Sequence, residues 1–313
     1  MDLEEKILSS LSTTYTNDIS ISKLSKILKK KGFDGDYKNT YQKIRYLENR
    51  ALIKTKLIGK SRIIQINYSN PSTIAKLAMI ELGKKIDFIN ENPDFQPINT
   101  QLNKIQSDSI ILIEAEKNFS LNRIETLIIT NKPEKTINEC NEIEKLFNIR
   151  IDCLAITPKE FAEQITTTTI IQMLSNRLIL SNQEQFINLI SNSINKIEEK
   201  DYLLTDLNET ELRDNLAKFG YSEFGKETKG KELSIEETIA STLLNGAARQ
   251  KTALKDIIKN NDFSLRMLYF LIKKYSKQKE IEKISPANNK IKKLKTMFSE
   301  IKWLRIMCQK RNY

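Results

Sequence analysis

The side chains best suited to recognition chemistry lie between residues 38 and 62. Lys38, Gln42 and Arg45 recur at helical spacing, which places them on one face of a helix. Arginine and glutamine make paired hydrogen bonds to base edges, whereas lysine supplies salt-dependent attraction to phosphates. The candidate DNA-contacting residues are Lys38, Asn39, Gln42, Lys43, Arg45, Lys60 and Arg62.

Other kinds of chemistry are excluded by composition. The 313 residues include no histidine, which removes Ser-His-Asp and Cys-His catalysis and His-ligated zinc. The three cysteines, Cys140, Cys153 and Cys308, are too few and too widely spaced for a disulfide framework or a CxxC metal clip. No run approaches the roughly 18 to 20 apolar residues of a membrane span. A cytoplasmic protein without a membrane partner or cofactor is expected.

Positive charge is concentrated at the two ends of the chain. Residues 1–70 carry 14 basic and 7 acidic side chains, residues 71–200 carry 14 and 18, and residues 201–313 carry 23 and 15. The net charges are therefore +7, −4 and +8, which add up to the overall +11. Clustered positive charge is typical of proteins that contact phosphate backbones, so double-stranded DNA is the expected partner.

The first 70 residues have the element order of a small DNA-binding module. Apolar residues at helical spacing predict helices from about residue 3, from about residue 21 and over Tyr37–Arg50. Two apolar strands joined at Gly59-Lys60-Ser61 then predict a hairpin. The phrase from Tyr41 to Ile53 resembles the recognition helix and following turn of archaeal and bacterial winged helix-turn-helix regulators. This resemblance implies a third helix in the major groove and a wing that contacts the DNA backbone.

The central part predicts an α/β domain. A linker helix is expected over 71–97, followed over 98–200 by short apolar strands that alternate with helices. The runs Ile110–Ala115, Ile124–Ile129 and Ile151–Phe161 resemble those of the minimal nucleotidyltransferase fold. In that family, a Gly-Ser turn holds nucleotide phosphate and acidic residues on the next strands bind two metal ions.

Several departures from that family's pattern bear on catalysis. Glu114-Ala115 replaces the Gly-Ser turn, and no glycine occurs from Lys84 to Phe219. Arg123 stands where the first acidic residue is needed, so the resemblance leaves only Glu125 and Asp152 as candidate catalytic carboxylates. Because two-metal transfer needs several carboxylates, a degenerate, non-catalytic domain is expected. Mg²⁺ would be a cofactor only if transfer activity remained.

The C-terminal half predicts helices throughout residues 201–285 and one basic amphipathic helix over 286–313. The phrase Ala248–Asn260 resembles the final helix of archaeal nucleotidyltransferase-like proteins of the toxin-antitoxin kind. The last helix is expected to dock its apolar stripe on the protein body or on a partner, which includes a homodimer, or to contact phosphates with its polar face. Its basic residues of interest are Lys292, Lys293, Lys295, Lys302 and Arg305.

These observations predict an α+β multidomain protein with an N-terminal winged helix, a central small nucleotidyltransferase-like α/β domain and a C-terminal helical region. The expected function is DNA binding, as a transcriptional regulator whose central domain serves regulation or assembly. Two alternatives stay open at this point: an active metal-dependent nucleotidyltransferase of toxin-antitoxin type, and a protein-interaction scaffold.

Overall fold

The computed structural model describes residues 2–13, 19–30, 32, 35–59, 61–113, 119–193, 203–221, 231–284 and 289–298. Several residues singled out in the sequence lie outside these ranges, namely Lys60, Lys302, Arg305 and the Glu114-Ala115 pair. The described chain is mixed α/β with two small sheets. No helix within the described ranges is both long enough and apolar enough to cross a membrane.

The N-terminal part holds three helices and a three-stranded antiparallel sheet. Its elements are α1 (Leu3–Thr13), β1 (Ile19–Ser20), α2 (Ile21–Lys30), α3 (Tyr37–Asn49), β2 (Ile53–Ile58) and β3 (Ser61–Ile66). The sheet order is β1-β3-β2, so the predicted hairpin is confirmed and a short first strand that the sequence did not reveal is added to it. Gly59, with φ of 57°, lies next to the end of β2, in the left-handed region that favours glycine.

The helix α3 begins where its sequence provides a cap. The Asp36 carboxylate accepts hydrogen bonds from the backbone N–H groups of Lys38 and Asn39, which satisfies two donors that the first turn leaves free. Thr40, Ile44 and Leu47 bury the inner face of α3. The cap and this apolar stripe fix the register of the helix and therefore the direction of its outer face.

The central part surrounds a four-stranded sheet. Its elements are α4 (Pro71–Glu91), a 3₁₀ turn (Pro93–Phe95), α5 (Gln96–Leu102), β4 (Ser109–Ile113), β5 (Arg123–Ile129), α6 (Pro133–Phe147), β6 (Arg150–Ile156), α7 (Pro158–Gln164), α8 (Thr168–Ser175), β7 (Arg177–Ser181) and α9 (Gln183–Ser191). The strand order is β6-β5-β4-β7. β5 and β6 are parallel and are connected through α6, whereas β4 is antiparallel to both of its neighbours.

The C-terminal part is helical, as the sequence predicts. It comprises a 3₁₀ turn (Leu204–Asp206), α10 (Glu209–Lys218), α11 (Ile235–Asn245), α12 (Ala248–Asn260), α13 (Leu265–Lys274) and α14 (Gln278–Ile284). Residues 289–298 are also helical, and Ile291 and Leu294 are buried in the apolar cluster of this region. Over these ten residues the apolar stripe therefore docks on the body of the protein, while Lys292 and Lys293 stay exposed.

A buried ion pair holds α4 against the central sheet. Arg177, the first residue of β7, lies 3.6 Å from the Glu81 carboxylate of α4, and both side chains are 1% exposed. The Arg177 guanidinium also donates to the carbonyl oxygens of Ser12 and Leu174 and lies over the Phe186 ring. One side chain thus joins the end of α1, the middle of α4 and the beginning of β7.

We expect Arg177→Met to lower the free energy of unfolding by about 3 kcal/mol, since the Glu81 carboxylate stays buried and, among the described residues, keeps only its bond to Lys84. Urea denaturation measures this loss. Lys159→Met is the control, because Lys159 is 87% exposed and its contact with Glu163 spans 3.9 Å. Equal stability of the two variants would contradict the role assigned to the buried pair.

Candidate functional site

The outer face of α3 carries the polar side chains that the sequence predicts there. Lys38, Gln42, Arg45 and Asn49 are all exposed, opposite the buried Thr40, Ile44 and Leu47. In the described part of the chain, the side chains of Lys38 and Gln42 form no hydrogen bond or ion pair. They are therefore available to an incoming ligand. Asn39 is also exposed, next to Lys38.

Glu48 connects α3 to the hairpin. Its carboxylate lies 3.1 Å from the Arg45 guanidinium and 3.4 Å from that of Arg62 on β3. The Thr55 hydroxyl of β2 donates to the same carboxylate. The two candidate arginines, which are 17 positions apart in the sequence, are thus brought together on one acidic residue. Glu48 is not among the residues predicted from the sequence, although its position three residues after Arg45 is the spacing of a helical ion pair.

Lys43 lies on a different flank of α3. Its ammonium is 2.9 Å from the Glu4 carboxylate of α1, and this hydrogen bond raises the pKa of Lys43 above its ordinary value. The Lys43 ammonium also lies 5.5 Å from the centre of the Tyr46 ring. Lys43 is therefore directed towards α1 and away from the face that carries Lys38, Gln42 and Arg45.

Aromatic and apolar side chains that the sequence reasoning missed border this face. Tyr37 and Tyr41 stack with ring centres 6.3 Å apart and are 54% and 37% exposed. At the far end of β2, Leu57 and Ile58 are exposed as well. Tyr37, Tyr41 and Arg45 follow one another at a spacing of four, a signal that was present in the sequence. We define the recognition surface as Tyr37, Lys38, Tyr41, Gln42, Arg45, Asn49 and Arg62.

The two candidate catalytic carboxylates lie side by side in the central sheet. Glu125 of β5 is paired in register with Asp152 of β6, and Arg123 is paired with Arg150. Arg123 Nε is 2.9 Å from Asp152 Oδ2, and Arg150 Nε is 2.9 Å from Asp152 Oδ1. Asp152 is completely buried. The carboxylate of Asp152 is therefore held between two guanidinium groups.

Glu125 is neutralised in the same way. Its Oε1 lies 3.0 Å from Arg123 Nη2 and its Oε2 lies 2.7 Å from Lys274 Nζ. Lys274 is the last residue of α13, which is about 150 positions further along the chain. The candidate active site thus consists of a charge network that reaches the C-terminal helices.

The arginines of this network also bind the carboxyl end of α13. Arg123 Nη2 donates to the Lys274 carbonyl oxygen at 3.0 Å, and Arg150 donates to the Lys273 carbonyl oxygen. The last carbonyl groups of a helix lack intrahelical partners and carry partial negative charge, so cations are favourable there. Lys273 itself is buried, 3.1 Å from Glu144 on α6 and 2.6 Å from the Ile151 carbonyl oxygen. This network, Arg123, Glu125, Glu144, Arg150, Asp152, Lys273 and Lys274, is the carboxylate cluster.

The carboxylate cluster does not fit the magnesium site that the nucleotidyltransferase resemblance implies. All four carboxylate oxygens of Glu125 and Asp152 have a cationic nitrogen within 3.0 Å. Magnesium requires oxygen ligands in octahedral geometry. The space beside these carboxylate oxygens, where a metal ion would bind, is taken by the nitrogen atoms of arginine and lysine. No group of three or more carboxylate or thiol side chains suited to a metal occurs within the described ranges.

The comparisons with known proteins give no family for this chain. No family model matches it, and neither a curated protein nor a solved structure shows significant similarity to it. The resemblances to winged helix-turn-helix regulators and to nucleotidyltransferases therefore remain interpretations of the residues.

We expect Asp152→Asn to lower the free energy of unfolding by about 3 kcal/mol, because Arg123 and Arg150 lose the negative charge between them. Urea denaturation measures the effect. Glu163→Gln, which removes an exposed carboxylate from α7, is the control and should change stability by no more than about 0.5 kcal/mol.

Addition of magnesium should leave the melting temperature of the wild-type protein unchanged. A rise that occurs in the wild type and is lost in Asp152→Asn would show that these carboxylates hold a metal ion after all.

Proposed function

We propose that this protein binds double-stranded DNA through its N-terminal part, which we interpret as a winged helix. The observation that carries the proposal is the exposed polar face of α3, continued on the hairpin by Arg62 through the shared contact with Glu48. A helix of this width fits the major groove of B-DNA, where each base pair presents a distinct pattern of donors and acceptors.

The recognition surface divides into base-reading and backbone-binding side chains. Gln42 and Arg45 have the amide and guanidinium groups that pair with adenine and guanine edges. Lys38 at the beginning of α3 supplies charge for phosphates, and the exposed Lys54 and Lys56 on β2, outside this surface, add to the positive charge of the N-terminal part. The hydroxyl groups of Tyr37 and Tyr41 add phosphate donors beside them. We also propose that Lys60, which lies between the two hairpin strands in the sequence, contacts phosphates.

The charge distribution supports the same function. Residues 1–70 have a net charge of +7, whereas residues 71–200 have −4. Long-range attraction to DNA therefore favours approach through the N-terminal part over the central part. Lys292, Lys293 and Lys295, on the helical residues 289–298, offer a second basic surface that could contact phosphates.

The central domain is proposed to serve assembly or regulation. The cationic partners of Glu125 and Asp152 argue against metal-dependent nucleotide transfer, and the same bonds connect the sheet to α13. We therefore propose a transcriptional regulator in the cytoplasm. This role accounts for the basic N-terminal part and for a central domain that resembles a nucleotidyltransferase without its chemistry. A pure interaction scaffold predicts DNA affinity that depends on net charge alone.

Two arginine variants distinguish specific docking from general charge attraction. We expect Arg45→Ala to weaken duplex binding by about tenfold, because Arg45 contacts base edges or phosphates directly. Arg249→Ala removes the same charge from an exposed position on α12 and should change affinity little. Fluorescence anisotropy with labelled duplex DNA over a salt series measures both.

Equal losses in the two variants would favour the scaffold interpretation, since each variant changes the net charge by the same amount. Weak binding by the wild type at low salt would remove the DNA-binding proposal altogether.

Glu48→Gln should strengthen DNA binding several-fold and make the salt dependence steeper, because it releases Arg45 and Arg62 from their shared carboxylate. Glu163→Gln changes net charge equally on α7 and serves as the matched control. Both variants are first compared by thermal unfolding, so that a loosened hairpin is recognised. Unchanged affinity in folded Glu48→Gln would show that the two arginines do not contact the DNA.

A further inference from the structure

The helix α4 is apolar on its outer face as well as on its inner face. Met79, Leu82 and Ile86 are 68%, 45% and 51% exposed, and Ala75 is exposed one turn earlier. Their spacing of four, three and four residues is the spacing of a helix-packing seam. The opposite side of α4, which includes Ile74, Leu77 and Glu81, is buried against the rest of the protein.

This outer face forms one wall of an open groove. The groove has a volume of about 660 Å³ and lies between α4 and the first turns of α9. Ala75, Ala78, Met79 and Leu82 line the apolar wall, while Gln183, Glu184 and Asn188 line the other. The exposed apolar wall of α4 is thus bordered by polar side chains on its α9 side, as the apolar part of a protein–protein interface is bordered by polar residues.

We propose that α4 packs antiparallel against α4 of a second copy of this chain, around a two-fold axis near residues 80 and 81. In this register, Met79 of one copy faces Leu82 of the other, and Ile86 faces the small Ala75. Each large side chain at the ends of the seam therefore meets a small one. The 21 residues of α4 extend over about 31 Å. The seam from Ala75 to Ile86 needs only about 17 Å of this length, so the helix contains the whole contact.

Charge selects the antiparallel arrangement over the parallel one. Lys76 and Asp87 lie on the same flank of α4, eleven residues or about three turns apart. Antiparallel packing places Lys76 of one copy next to Asp87 of the other, twice across the axis. Parallel packing would place the flanks that carry these two residues on opposite sides of the seam, so neither pair could form. Asp87 is exposed and forms no ion pair within the described ranges, whereas Lys76 already contacts Glu5 at 2.9 Å.

The exposed seam itself carries no charge, which favours a second copy over the basic C-terminal stretch as its occupant. Residues 299–313 include Lys302, Arg305, Lys310 and Arg311 against the single Glu300. Self-association of α4 buries apolar surface on both copies without bringing these charged residues to the seam. The inference stands independently of DNA binding, because the association it predicts occurs without DNA.

Sedimentation velocity of the full chain over a hundredfold range of concentration tests the proposal. We expect the wild type to shift from monomer to dimer as concentration rises, and Leu82→Glu to remain monomeric, since it places carboxylates beside the axis of an apolar seam. Leu57→Glu is the matched control: it makes the same change at a more exposed leucine on β2, and it should associate like the wild type. Circular dichroism establishes that each variant is folded.

A wild type that is monomeric at the highest concentration, or a folded Leu82→Glu that still dimerises, overturns the proposal. Loss of the dimer in Trp303→Glu but not in Leu82→Glu would assign the interface to the C-terminal stretch and would overturn it as well.

Cross-linking tests the register. In a Cys308→Ser background, chains with Met79→Cys are mixed with chains with Leu82→Cys under mild oxidation. Antiparallel packing brings positions 79 and 82 of different copies together, so mixed disulfides should form several-fold faster than Met79→Cys pairs. Faster Met79→Cys homodimers, or equal rates for all pairs, would contradict the antiparallel seam.

Discussion

The carboxylate of Asp152, buried between Arg123 and Arg150, is the constraint on which the central architecture depends. A buried carboxylate needs cationic partners, and guanidinium groups have donors to spare after binding it. The remaining donors of both arginines reach the last carbonyl groups of α13. One buried negative charge therefore fixes two neighbouring strands and positions a helix from the opposite end of the chain. The same arrangement uses up the acidic groups that metal chemistry would require.

The helix α4 has a comparable organising role at the opposite edge of the sheet, next to β7. Its inner face carries Glu81, whose pairing with Arg177 joins the N-terminal part to β7. Because that face is fixed by a buried ion pair, the direction of the outer face is fixed as well. The uncharged seam of Met79, Leu82 and Ile86 is therefore presented at one defined place on the surface. A rigid helix with one face committed to the fold is well suited to hold two copies in a set orientation.

In the recognition surface, the internal ion pairs use the same arginines that the proposed DNA contacts would use. Glu48 holds Arg45 and Arg62 in position when no ligand is bound, which connects the third helix to the hairpin. These contacts are partly exposed, so they contribute little stability and are readily exchanged for phosphate or base contacts. The Arg123 and Arg150 pairs with Asp152 differ in kind, because their shared carboxylate is fully buried. Burial of the shared carboxylate, which is 25% exposed in Glu48 and completely buried in Asp152, thus separates arginines that can serve recognition from those that hold the fold.

The sequence by itself determined the local elements and their faces. The short apolar runs predicted strands in the regions of β4, β5 and β6, and helical spacing placed Lys38, Gln42 and Arg45 on the outer face of α3. The resemblance to nucleotidyltransferases left only Glu125 and Asp152 as candidate catalytic carboxylates. Only the tertiary structure decided what neutralises these carboxylates, since Lys274 and the end of α13 are more than 120 residues away. Likewise, the apolar residues of the exposed α4 seam have the helical spacing that is typical of buried core residues. Periodicity reports which residues share a face, but only packing decides whether a second apolar face is covered.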